Sequence, residues 1–84
     1  MKSFAPITLI PRDGLTLTYT VIARGGYHYV GVTAVDARGC RSAETGALPT
    51  AALAARLLRL LSVGAVTPYT LTEIYDEFLA AHLP

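Results

Sequence analysis

Residues 15–36 constrain the fold more than any other stretch of this chain. Leu15 to Arg24 alternates strictly. Leu15, Leu17, Tyr19, Val21 and Ala23 fall on one side, and Thr16, Thr18, Thr20, Ile22 and Arg24 on the other. A period of two over such a run is the pattern of a half-buried β-strand. Gly25-Gly26 follows and reads as a two-residue hairpin turn. Tyr27 to Asp36 then returns antiparallel. The turn length fixes the register: Arg24 faces Tyr27, Ala23 faces His28, Val21 faces Val30, Tyr19 faces Val32 and Leu17 faces Ala34. One face therefore collects Leu17, Tyr19, Val21, Ala23, His28, Val30, Val32 and Ala34, nearly all apolar, and is the predicted core face. The opposite face collects Thr16, Thr18, Thr20, Ile22, Arg24, Tyr27, Tyr29, Gly31, Thr33 and Val35.

The flanking segments complete the architecture. Ile7-Thr8-Leu9-Ile10 reads as a short first strand, and Pro11-Arg12-Asp13-Gly14 as the turn after it. Residues 37–48 are small and polar and read as a loop. Pro49-Thr50 opens a helix running to about Ser62, with Gly64 as its stop. Its expected apolar stripe is Leu53, Leu57, Leu60 and Leu61, with Leu58 at the margin and Arg56 and Arg59 on the far side. A second helix starts at Thr67-Pro68 or at Thr70, where Thr70 and Glu73 fit a capping box. Leu71, Ile74, Tyr75, Phe78, Leu79 and His82 form its stripe, and Glu73, Asp76, Glu77 and Ala80 face out. The predicted fold class is α+β: a three-stranded antiparallel β-meander followed by two α-helices packed on one sheet face, βββαα.

At 84 residues the chain is read as a single domain spanning 1–84, too short for separate cofactor and substrate domains. Its hydrophobic fraction of 52% and mean hydropathy of +0.44 are high, so some apolar surface is expected to meet a partner. Cys40 is the single cysteine, which leaves no intramolecular disulfide and favours a reducing compartment. Met1 to Pro6 lacks the apolar stretch of a secretory leader. The longest apolar run, Ala51 to Val66, is broken by Arg56 and Arg59 and is too short to span a bilayer. The expected location is cytoplasmic: bacterial, or the host cytoplasm for a phage-encoded chain. The abundance of Ala, Gly, Arg and Pro, with no Trp, Asn or Gln, is the bias of a GC-rich bacterial or phage coding sequence. The net charge of +1 excludes a polycation that tracks nucleic acid. That charge is unevenly spread. Residues 1–59 carry all seven basic side chains against Asp13, Asp36 and Glu44, a net +4, whereas residues 60–84 carry only Glu73, Asp76 and Glu77, a net −3. Such a dipolar chain orients on a partner by charge.

Catalytic chemistry finds no support in the residues. Cys40 lies between Arg38 and Arg41, which favours a thiolate, but no His or acid stands at a spacing that would activate it. His28 falls on the core face and His82 near a helix C-terminus, both structural positions. Two His and one Cys, far apart in sequence, lack zinc spacing, and Arg24-Gly25-Gly26 opens no helix and so is no phosphate loop. Neither an enzyme nor a metal or cofactor site is expected.

A binding surface is expected instead. Ile22, Arg24, Tyr27, Tyr29 and Val35 share the face opposite the core, and Tyr and Arg are the residues that anchor interfaces. With Arg38 and Arg41 from the following loop they form the expected partner-binding set. The alternative is that this face is simply solvated, or that residues 37–48 fold back over it. In a three-stranded meander the third strand is also an edge, and Tyr27 to Val35 contains neither Pro nor Lys. That edge invites a second strand, and homodimerisation through 27–35 follows as an expectation.

Two resemblances bear on the partner. Tyr19-Thr20-Val21-Ile22, Gly26-Tyr27, Asp36-Ala37-Arg38-Gly39-Cys40 and the helix with Ala52-Leu53 resemble the N-terminal part of HicB-type antitoxins over residues 19–60. Ala37-Arg38 stands where that family has Leu-Pro. The resemblance implies a protein that neutralises a small RNase toxin by binding it. At the level of class, the chain is also similar to phage-encoded inhibitors of the anti-CRISPR kind, which occlude surfaces on larger bacterial complexes. A third reading takes Gly26-Tyr27-His28-Tyr29-Val30-Gly31-Val32, which looks like the aromatic strand of an RNA-recognition motif, with Tyr27 and Tyr29 as the stacking pair. The expected function is non-catalytic inhibition by protein binding, with nucleic acid disfavoured as the direct ligand.

Overall fold

In a computed structural model of the chain, which describes residues 6–82, four strands precede two helices. The strands are β1 (Ile7–Arg12), β2 (Leu15–Arg24), β3 (Tyr27–Asp36) and β4 (Gly39–Glu44), and the helices are α1 (Ala51–Val63) and α2 (Leu71–His82). Lys2, and most of the Met1–Pro6 stretch on which the leader argument rests, lie outside the described residues. The strands form one antiparallel sheet in the order β1-β2-β3-β4, and both helices pack on the same face of it.

The β2–β3 hairpin has the expected register throughout, from Arg24↔Tyr27 to Thr16↔Val35. Gly25 and Gly26 both have positive φ (56° and 83°), as a two-residue turn that matches strand twist requires. Leu17, Tyr19, Val30 and Val32 are buried against Leu48, Ala54, Leu57, Leu58, Leu61, Leu71 and Phe78.

The sheet has a fourth strand where the sequence predicted a loop. Residues 39–44 pair with β3 from Asp36↔Gly39 to Gly31↔Glu44. The turn between them closes on Asp36, whose side chain accepts from the Arg38 amide at 2.8 Å. Beyond β4 the chain keeps following β3. Thr45 N donates to the Val30 carbonyl at 2.9 Å, Val30 N donates to the buried Thr45 hydroxyl at 3.0 Å, and His28 and Leu48 exchange two backbone bonds. The driving force is the row of β3 amides and carbonyls, which need partners. As a result β3 is an interior strand, and the expected homodimer through the edge at 27–35 has no free edge to use. The edges are β1, blunted by Pro11 and a register shift between Leu9 and Arg12, and β4.

The face that α1 buries is rotated from the predicted stripe. Ala54, Leu57, Leu58 and Leu61 are buried, Leu53 is partly buried, and Leu60 is half exposed. The small Ala54 side chain lets this face approach the sheet, which turns Leu58 in and Leu60 out. Thr50 caps the helix by accepting from Leu53 N at 3.2 Å. At the C-terminus, Gly64 takes a right-handed conformation (φ −85°) and Ala65 takes the left-handed one (φ 48°). Val66 N bonds the Leu61 carbonyl and Ala65 N bonds the Ser62 carbonyl, the paired bonds of a Schellman motif. Glycine thus stands one position before the place that favours it.

Tyr19 ties the sheet to the turn between the helices. It is fully buried, and its hydroxyl donates to the Val66 carbonyl at 2.8 Å. Tyr75 of α2 similarly donates to the Ala47 carbonyl at 2.9 Å and holds α2 to the segment before α1. Burial pushes the Tyr19 phenol above its ordinary value of 10.0. Tyr75 is raised as well, by burial first and then by the negative charge of Asp76.

Two predictions follow from these contacts. Ala65→Gly relieves a left-handed alanine and should stabilise the fold by about 0.5–1 kcal/mol in urea unfolding. Tyr19→Phe leaves the Val66 carbonyl without its partner and should cost about 1–2 kcal/mol at neutral pH. Folded Tyr19 keeps its proton where the unfolded chain has released it, so its contribution is complete below pH 10 and falls as pH rises above that value. The alkaline loss of stability should therefore be shallower in Tyr19→Phe than in the parent, read by urea unfolding across that pH range.

Candidate docking face

Both helices pack on one side of the sheet, and among the described residues no layer covers the other side. The register assigns Thr8 of β1, Thr16, Thr18, Thr20, Ile22 and Arg24 of β2, and Tyr27, Tyr29, Gly31, Thr33 and Val35 of β3 to this outer face. It adds Cys40, Ser42 and Glu44 from β4. Residues 37–48 extend the sheet sideways and do not fold back over Tyr27 and Tyr29.

The structure brings four of the expected site residues together at the hairpin tip. Arg24 and Tyr27 are a cross-strand pair, and Ile22 and Tyr29 are the next. The Arg24 guanidinium lies 4.7 Å from the centre of the Tyr29 ring and forms an ion pair with Glu44, the only ion pair among the described residues. Glu44 reaches Arg24 only through β4, the strand the sequence does not predict. Gly31 makes room for this arrangement. A Cβ there would stand 3.2 Å from Thr20 Oγ1 and 3.4 Å from Ile22 Cδ1, so glycine lets both side chains lie across β3. Tyr27 is open to solvent, at 52% exposure.

The other three expected residues lie elsewhere. Val35 is on the same face but pairs with Thr16 and Cys40, roughly 20 Å along the strand from Tyr29. Arg38 sits in the β3–β4 turn, beside a cleft of about 290 Å³ lined also by Arg12, Asp13 and Asp36. Arg41 pairs with Ala34 and so projects from the helix-bearing face, where its guanidinium lies 5.2 Å from the centre of the Tyr69 ring. Val35 keeps its expected face; the placement of Arg41 has a separate cause, because a loop has no faces but a strand does, and β4 sends Cys40 and Arg41 to opposite sides of the sheet. Between the tip and Val35 runs a belt of hydroxyls, in which Thr8 meets Thr18 at 3.5 Å and Thr33 meets Ser42 at 3.1 Å.

The reactive side chains are dispersed. Cys40 is exposed on the outer face, whereas His28 is on the helix side near the tip, its Nδ1 buried without a hydrogen-bond partner. His82 stacks on Phe78 with ring centres 4.2 Å apart, and its Nδ1 lies 3.0 Å from the Phe78 carbonyl. Among the described residues no group of three or more His, Cys, Asp or Glu is arranged to hold a metal ion, and no helix is long and apolar enough to cross a membrane.

Comparison with protein-family models, with curated proteins and with solved structures finds no match to this chain.

Proposed function

We propose that this chain is a non-catalytic binding protein that docks through the tip end of its uncovered sheet face onto a larger bacterial protein assembly and inhibits it by occlusion, in the manner of phage-encoded anti-CRISPR proteins. The observation that carries this reading is the cluster of Ile22, Tyr27 and Tyr29 with Arg24 on a sheet face that no other part of the described chain covers. Aromatic side chains give large contact area at low entropic cost, and Tyr and Arg are enriched among the residues that anchor interfaces. Here they are held in place beforehand by strand pairing and by the Arg24–Glu44 ion pair. The hydroxyl belt beside them supplies a polar rim.

The RNA reading is less well served by the same geometry. Arg24, the cation beside the tyrosines, is neutralised by Glu44 and lies over one of the two rings on which bases would stack. The antitoxin reading differs in the identity of the partner. The segment that carries its signature, Asp36 to Cys40, forms the β3–β4 turn at the opposite end of the sheet from the cluster.

The test is affinity capture from a lysate of a bacterium with an active CRISPR system, using the parent chain and Tyr27→Ala/Tyr29→Ala. The proposal predicts that subunits of the CRISPR effector complex are captured by the parent and reduced at least tenfold by the double substitution. Capture of a small RNase instead supports the antitoxin reading. Equal capture by both chains removes this sheet face from the function.

A further inference from the structure

The helical layer carries a second surface, independent of the sheet face. Leu60, Gly64 and Val66 at the end of α1 face Ile74, Phe78 and Ala81 of α2 across an apolar groove of about 500 Å³. Two large apolar side chains of α1 are left in water here: Leu60 of the groove, at 50% exposure, and Val63, about one turn further along the helix, at 88%. The interior of the molecule does not explain them, because the core is completed by Leu57, Leu58 and Leu61 on the other side of α1.

The charges on the two helices are separated. α1 carries Arg56 and Arg59 and no acid; α2 carries Glu73, Asp76 and Glu77 and no Lys or Arg. All five are exposed, and none is in an ion pair within the described chain. A basic helix and an acidic helix flanking an apolar groove form a surface that complements itself. A twofold axis through the groove sets α1 of each copy against α2 of the other, so both charge pairings are made at once.

We propose that the chain dimerises through this helical layer, burying Leu60 and Val63 in the groove region of the second copy with Arg56 and Arg59 opposite the partner's Glu73 and Glu77. Apolar burial supplies the affinity, and the charges select the relative orientation of the helices. The helices have 13 and 12 residues, each about 20 Å long. A layer of two such helices is a small interface, so association is weak and depends on concentration. Because the helices and the docking face lie on opposite sides of the sheet, the dimer presents two docking faces outward, which strengthens attachment to a partner with repeated subunits.

The test is sedimentation equilibrium over low to high micromolar protein. The parent should approach twice the 8.9 kDa of the single chain as concentration rises. Leu60→Glu, at an exposed site, should remain at the monomer mass. Arg56→Glu/Arg59→Glu and Glu73→Arg/Glu77→Arg should each be monomeric alone and associate when mixed, because each supplies the charge the other lacks on both helices. A parent that stays monomeric at the highest concentration overturns the proposal. So does a dimer that survives Leu60→Glu, or a mixture of the charge variants that does not associate. Tyr27→Ala/Tyr29→Ala should leave the dimer unchanged, which keeps this result separate from the fate of the docking face.

Discussion

The two-residue turn at Gly25-Gly26 determines which residues of β2 and β3 share a side of the sheet. A shift of one position would put Tyr19 and Val30 on opposite faces, so one strand would turn its apolar set to water and its threonines inward. With the observed register, Leu17, Tyr19, Val30 and Val32 form one apolar floor. Only that floor can receive the leucines of α1 and Phe78 of α2, so both helices pack on the same side. The bareness of the other face follows from the same constraint. Tyr19 then links the layers, since its ring fills the core and its hydroxyl satisfies the carbonyl of Val66 in the turn between the helices.

The hairpin was legible in the sequence because two independent signals, turn length and alternation, agree on one register. The helices were legible from their spacing and from Thr50. The side of α1 that is buried was less so: Leu58 and Leu60 are equally apolar, and the choice between them depends on Ala54 approaching the sheet. β4 was hidden because Gly39-Cys40-Arg41-Ser42-Ala43-Glu44 has neither β-branched residues nor apolar alternation. Its pairing is driven by the backbone needs of β3 rather than by its own side chains. The local trace it left is the Asp36-to-Gly39 turn, the same length as the Gly25-Gly26 turn.

That hidden strand accounts for most of what changes in the candidate site. Ile22, Arg24, Tyr27 and Tyr29 are brought together as the hairpin register requires. Glu44 joins them, Arg41 leaves for the other face, and the edge of β3 is closed. The apolar excess of the composition is divided between the two sides of the molecule. Ile22, Tyr27 and Tyr29 lie on the sheet, and Leu60 and Val63 lie on the helices. The uneven charge acquires a location as well, since its acidic part is the surface of α2.

The central claim is that the partner meets the tip of the uncovered sheet face. Hydroxyl-radical footprinting of the chain, free and bound to the protein it captures, tests this most directly. Tyr27 and Tyr69 are both exposed, on opposite sides of the sheet, and serve as paired reporters. The account predicts that binding protects Tyr27 and Tyr29 and leaves Tyr69 reactive. Protection of Tyr69 with Tyr27 still reactive would contradict it.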